Sequence, residues 1–181
     1  MQPGTLLAGK RGLVMGVAND KSIAWGIAEA AAKQGAEIAF SYQMEGFGKR
    51  LAPLAKSVGS SIMIECDVVK EGAVDRCFAE LATHWPTIDF VVHALAFSDK
   101  NELKGAYMDT SRQNFKTTMM VSAYSFTEVA RAARDMMPDG GALVTLSFLG
   151  AQRSTPNYNV MGIAKAALEA SVRYLAVDLG G

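Results

Sequence analysis

The alternation of short β-rich runs with longer helical runs constrains this chain more than any other feature. RGLVMG ending at Gly16, AEIAFSY over Ala36–Tyr42, SIMIECD ending at Asp67, IDFVVHA over Ile88–Ala94 and ALVTLSF over Ala142–Phe148 read as five strands. Helices are predicted over Ser22–Gln34, closed by Gly35, and over Gly46–Val58, with an irregular start at Pro53. Further helices are predicted over Glu71–Trp85, Ser111–Met137 and Tyr158–Leu179. Strands joined through helices must be parallel, because a parallel pair needs a crossover. The cores IAF, IMI, FVVH and LVTL are apolar on both sides, as a sheet covered on both faces requires. The expected fold is α/β: a Rossmann-type doubly wound parallel sheet in three α/β/α layers, forming a single dinucleotide-binding domain over residues 1–181. Such a sheet usually has six strands. This sequence stops at Gly180-Gly181 after a helix, so the domain reads as lacking its C-terminal strand, and a molecule ending there is expected to be inactive.

Composition narrows the partners. Eighteen basic residues balance eighteen acidic ones, which leaves no surplus to neutralise a phosphate backbone, and no polybasic stretch faces an anionic membrane. Nucleic acid and membrane are therefore not expected partners. Cys66 and Cys77 sit in no CxxC or Cys/His cluster, so no metal site is expected. Two thiols without a secretory signal or a membrane-length apolar run imply a cytoplasmic protein.

The first strand–helix turn, GVANDKSIAWG over Gly16–Gly26, lies where such folds place a pyrophosphate. Gly16 permits the tight turn, Ala18 a close backbone approach, and Gly26 close helix packing. Ser22 is expected to cap the helix and offer its hydroxyl to a phosphate; a plain capped turn would use the same residues. In the helix, Ile23, Ile27, Ala30 and Ala31 recur at helical spacing. Gln43 follows the second strand, where an acid would bind a ribose 2′-hydroxyl and an Arg a 2′-phosphate. Being neither, it favours NADH over NADPH; Lys49 and Arg50 leave NADPH possible. Asp67 ends the third strand and either accepts from an adenine amino group or caps a turn. His93 reads as structural.

The strongest local signal is PNYNVMGIAKAALE over Pro156–Glu169. Tyr158 and Lys165 are seven residues apart, close to two helical turns, so both are expected on one face. An ammonium beside a phenol would lower the tyrosine pKa, and could hold a sugar's hydroxyls. Gly162 and Ala166 leave room beside that face.

Taken together, GVANDKSIAWGIA, AFSYQ, ECDV, HALAF and SFLGAQRSTPNYNVMGIAKAALEASVRYLA resemble the bacterial enoyl-acyl-carrier-protein reductases, a divergent branch of the short-chain dehydrogenase/reductases. The resemblance runs from about Gly9 to the end. It implies hydride transfer from NADH to the β-carbon of a trans-2-enoyl thioester on acyl carrier protein, in fatty-acid biosynthesis, by a homo-oligomer of tetrameric order. It places Gly16, Ser22 and Ile23 against the pyrophosphate and adjoining ribose, Gln43 near the adenosine, Asp67 and Val68 at adenine, and Leu95 near the cofactor ribose. Lys165 would hold the nicotinamide ribose, Tyr158 would donate to the thioester carbonyl, and Ser98 and Phe148 would face the substrate. Phe148 stands where the family usually has a second tyrosine. Two other readings remain open: a carbonyl-reducing dehydrogenase pairing Ser147 with Tyr158, and an NAD(H)-binding protein without catalysis.

Overall fold

A computed structural model describes residues 4–180. They fall into two compact units. The first holds the chain up to Ala94 together with Arg131–Thr145; the second holds Leu95–Ala130 and the chain from Leu146 onward.

The first unit is built on five parallel strands: β1 (Arg11–Met15), β2 (Glu37–Tyr42), β3 (Met63–Glu65), β4 (Phe90–His93) and β5 (Ala142–Thr145), in the order β3-β2-β1-β4-β5. Leu13 lies between Ala39 of β2 and Val91 of β4, in the most enclosed part of the sheet. The order reverses direction at β1, the doubly wound arrangement of Rossmann-type sheets. Helices α1 (Ile23–Lys33), α2 (Glu45–Ser57) and α3 (Ala73–His84) make the crossovers.

Local chemistry explains the boundaries. At the end of α1, Gly35 takes φ 92°, its N–H bonds to the Ala32 carbonyl, and the Ala36 N–H reaches back to Ala31. Gly59 at φ 76° and Ser60 repeat the pattern after α2. Both are Schellman closures, in which glycine adopts the left-handed conformation without a Cβ penalty. The α1 face that packs is Ala24, Trp25, Ala28 and Ala31. Of the apolar positions at helical spacing, Ala31 is buried and Ile27 packs on the core, whereas Ala30 is exposed and Ile23 is 66% exposed. The ring of Trp25 lies against Phe40 of β2, with centroids 6.3 Å apart, and sets which face turns inward. Around it Val14, Ile38, Leu51 and Val92 close the main core.

Three expectations change. Pro53 sits inside α2 rather than at its start; it is exposed, so water can reach the Lys49 carbonyl that loses its partner. β3 has only three residues. β5 lies at the edge of the sheet, and Val144 is 44% exposed, so the apolar LVTL run is not covered on both faces among the described residues.

In the second unit, the helix expected over Ser111–Met137 is not uniform. It runs as α4 (Arg112–Met119), a π-helical turn (Met120–Tyr124) and α5 (Ser125–Arg134), whose last residues enter the first unit. Ser111 caps α4 by accepting from the Asn114 N–H, and Ser125 donates to the Val121 carbonyl at 2.7 Å inside the wide turn. The final helix is α6 (Asn159–Leu179). Among the described residues, no helix is long and apolar enough to cross a membrane.

Phe40 is fully buried and touches the α1 face through Trp25. Phe40→Ala should lower the unfolding free energy by about 3–5 kcal/mol, read from urea denaturation.

Candidate functional site

The first unit presents the turn after β1. Gly16 turns at φ 99°, a left-handed conformation suited to glycine. Ser22 does not cap α1. Its Oγ instead accepts the N–H groups of Ala18 and Asn19, both at 3.0 Å, and so closes the loop that precedes the helix. Because that oxygen only accepts there, the hydroxyl proton remains available to a ligand. Ile23 opens the helix and is exposed. Gly26 is exposed, and a Cβ there would meet no atom within 4 Å, so it is not the close-packing position that its place in the motif suggests.

Gln43 and Asp67 come together at the ends of β2 and β3. The Gln43 Nε2 donates to Asp67 Oδ1 at 3.3 Å. The same oxygen accepts from the Val69 N–H at 3.3 Å, and the Asp67 carbonyl accepts from Lys70 at 2.9 Å. Asp67 is therefore a turn former with its carboxylate at the strand end, while Val68 beside it is buried. Lys49 pairs with Glu45 at 2.8 Å and Arg50 lies over the Phe47 ring at 4.7 Å, so both are engaged along α2. His93 is buried and its Nδ1 lies 3.1 Å from Thr145 Oγ1, a bond between neighbouring strands.

The second unit carries the phenol and the amine. Lys165 is 6% exposed and its Nζ donates to the Leu146 carbonyl at 2.7 Å. Burial pushes its pKa below the ordinary lysine value. Tyr158 precedes α6 at φ −119°, so helical periodicity does not set its direction. It sits between Asn157 at φ 59° and Asn159 at φ 32°, two left-handed residues that are not glycine. Burial pushes the phenol above its ordinary value. The expected lowering by Lys165 is not found, since that ammonium is directed at a carbonyl. The phenol is thus a neutral hydrogen-bond donor.

Gly150, in the short turn Leu149–Ala151, packs so closely on the Tyr158 ring that a Cβ there would clash with it, and a Cβ at Gly162 would come within 2.8 Å of the Gly150 carbonyl. The two glycines let this turn close on α6. The Phe148 ring tilts at 58° against Tyr158, with centroids 4.8 Å apart, and remains 49% exposed. Ser147 donates to Glu169 at 2.6 Å. Leu95 is half-buried at the start of the unit. Ser98 borders an open cavity of about 660 Å³, lined also by Phe97, Asp99, Glu102, Asn114 and Thr117. The sequence signals did not single out Asn114 or Asn159. An Asn on either side of Tyr158 was the available hint, since Asn tolerates left-handed backbone. No group of three or more His, Cys, Asp or Glu among the described residues could hold a metal ion.

The enoyl-(acyl carrier protein) reductase family model matches residues 16–181. The chain is 58% identical over 175 residues to enoyl-[acyl-carrier-protein] reductase [NADH] 2 of Rhizobium meliloti (strain 1021), covering 97% of this chain and 65% of that protein. It is 54% identical to the corresponding NADH reductase of Rickettsia bellii (strain RML369-C), covering 97% of this chain and 67% of the relative. The chain thus spans about two thirds of the length of the relatives it matches. Among solved structures, an Anaplasma phagocytophilum enoyl-(acyl-carrier-protein) reductase in complex with NAD superposes with a TM-score of 0.96 at 57% identity, covering 99% of this chain and 69% of that one. The NADH reductase of Aquifex aeolicus VF5 gives 0.94 at 44% identity, covering 96% of this chain and 69% of that one.

The raised Tyr158 pKa has a sign that can be checked. Folding disfavours the phenolate, so the contribution to stability is present below the ordinary value of about 10 and is lost as pH rises through the folded value. Ultraviolet difference titration against Tyr158→Phe should show the phenolate appearing above the ordinary tyrosine range.

Proposed function

The chain belongs to the enoyl-[acyl-carrier-protein] reductase family, and from that premise we propose that it reduces the double bond of a trans-2-enoyl thioester carried on acyl carrier protein, using NADH. The observation that carries the reading is a neutral, partly buried phenol at the start of the helix whose buried lysine still has donors to spare.

The donor set fits a dinucleotide. Gly16, Ser22 and Ile23 offer a glycine turn, a free hydroxyl proton and a helix N-terminus, which together suit a pyrophosphate. Gln43, Asp67 and Val68 suit the adenosine: the Asp67 carboxylate can accept from an amino group, and its charge opposes a 2′-phosphate, which favours NADH. Lys165 gives one of its three N–H groups to Leu146, leaving two for the nicotinamide ribose hydroxyls. Leu95 is assigned beside that ribose. Bound NADH supplies the hydride that reduces the β-carbon.

Tyr158 then donates to the thioester carbonyl as negative charge builds on its oxygen. A neutral phenol is the right form for that task. The Phe148 ring holds the Tyr158 ring from one side, and Ser98 with the cavity beside it is assigned to the acyl chain. A carbonyl-reducing pair of Ser147 and Tyr158 is disfavoured, because the Ser147 hydroxyl is given to Glu169. The chain passes between its two units three times, which supports reading them as one dinucleotide-binding domain. A homotetramer rests on family membership, and a cytoplasmic location on that together with the two thiols that lie in no secretory context.

Initial rates with crotonyl thioester, measured on a protein that carries the family's full length, should be substantial with NADH, lower with NADPH, and absent with a keto thioester. Tyr158→Phe should cut kcat by about 10²–10³-fold, the usual loss for one donor to a developing oxyanion, with NADH affinity unchanged. Binding of NADH without reduction of any enoyl thioester would overturn the reading in favour of a non-catalytic binder.

A further inference from the structure

Asn159 follows the phenol directly and begins α6 at φ 32°. Such a backbone persists only where its surroundings hold it. Its side chain does more than tolerate the bend. The Nδ2 group donates to the Glu102 carbonyl at 3.2 Å and to the Gly105 carbonyl at 3.3 Å, more than fifty residues earlier in the chain. The Glu102 carboxylate in turn accepts from the Ser111 N–H and hydroxyl, both at 2.8 Å. At the other end of this loop, Asn114 Oδ1 accepts from the Asp99 N–H at 2.9 Å, and Thr118 donates to Ser98 at 2.9 Å. The loop that walls the cavity is therefore pinned near Ser98 by Asn114 and near Glu102 by Asn159.

We propose that Asn159 is a positioning residue whose amide locks the cavity-wall loop to the backbone bearing Tyr158, so that the acyl chain and the proton donor keep one relative geometry. The inference rests on the reading of Tyr158 as donor to the thioester. A preference for left-handed backbone would by itself explain an Asn here, but glycine meets that preference equally well and has no amide. Asn159→Gly therefore isolates the clamp. Asn159→Asp, which keeps the shape and cannot donate when ionised, is the second variant.

Both variants should leave NADH affinity unchanged, speed amide hydrogen exchange in the Glu102–Gly105 segment, and lower kcat/KM for an enoyl thioester by roughly tenfold to a hundredfold, the usual scale for a misplaced reacting group. In a Tyr158→Phe background the same substitutions should cost little further kcat, because the group they position is gone. Wild-type kcat/KM in Asn159→Gly and Asn159→Asp, even with faster loop exchange, would overturn the proposal. So would losses that simply multiply with that of Tyr158→Phe. If the unsubstituted protein reduces no enoyl thioester, the functional reading fails first and this inference falls with it.

Discussion

A buried ammonium with a backbone carbonyl as its partner organises the second unit. Lys165 is almost wholly out of water, and an ion in that position must be hydrogen-bonded to be tolerated. Its bond to the Leu146 carbonyl fixes α6 against the segment that leaves β5. With the helix placed, Gly162 must admit the Gly150 carbonyl and Gly150 must admit the Tyr158 ring. The phenol therefore faces a surface built by the lysine's requirement for a partner. The same burial explains both titration shifts. Each group is pushed toward its neutral form, the tyrosine upward and the lysine downward.

The first unit uses its polar side chains on its own loops and leaves their unused valences outward. Ser22 spends its oxygen on two backbone N–H groups and keeps a proton. Asp67 forms its own turn and orients Gln43. A ligand arriving there meets side chains whose directions are set before it binds, so less conformational entropy is lost on binding.

Much of the architecture was legible without coordinates. Short apolar β-rich runs located all five strands and period-3.6 patterning the helices between them, because a sheet covered on both faces and a helix buried on one face impose those patterns. Gly35 marked the end of α1 through its tolerance of positive φ. The misses have common causes. The π-helical turn at Met120–Tyr124 leaves no compositional trace, since one extra residue in a turn changes hydrogen bonding and not polarity. Ile23, one of the apolar positions at helical spacing on α1, is exposed, while the large ring of Trp25 is buried against Phe40. The LVTL run matched a doubly covered strand, but Val144 of β5 is 44% exposed.

The amino-acid order by itself determined a parallel, crossover-connected sheet, a glycine turn before α1, and a Tyr and Lys bracketing the start of the last helix. Those follow from local propensity and periodicity, which need no knowledge of distant residues. Only the tertiary structure decided what the two groups became. Tyr158 stands in a non-helical turn between two left-handed asparagines, and the Lys165 ammonium is directed to Leu146 instead of acidifying the phenol. The amide of Asn159 reaches a loop more than fifty residues earlier in the chain. Hydrogen-bond partners of that kind are chosen by proximity in space, and no spacing along the chain encodes them.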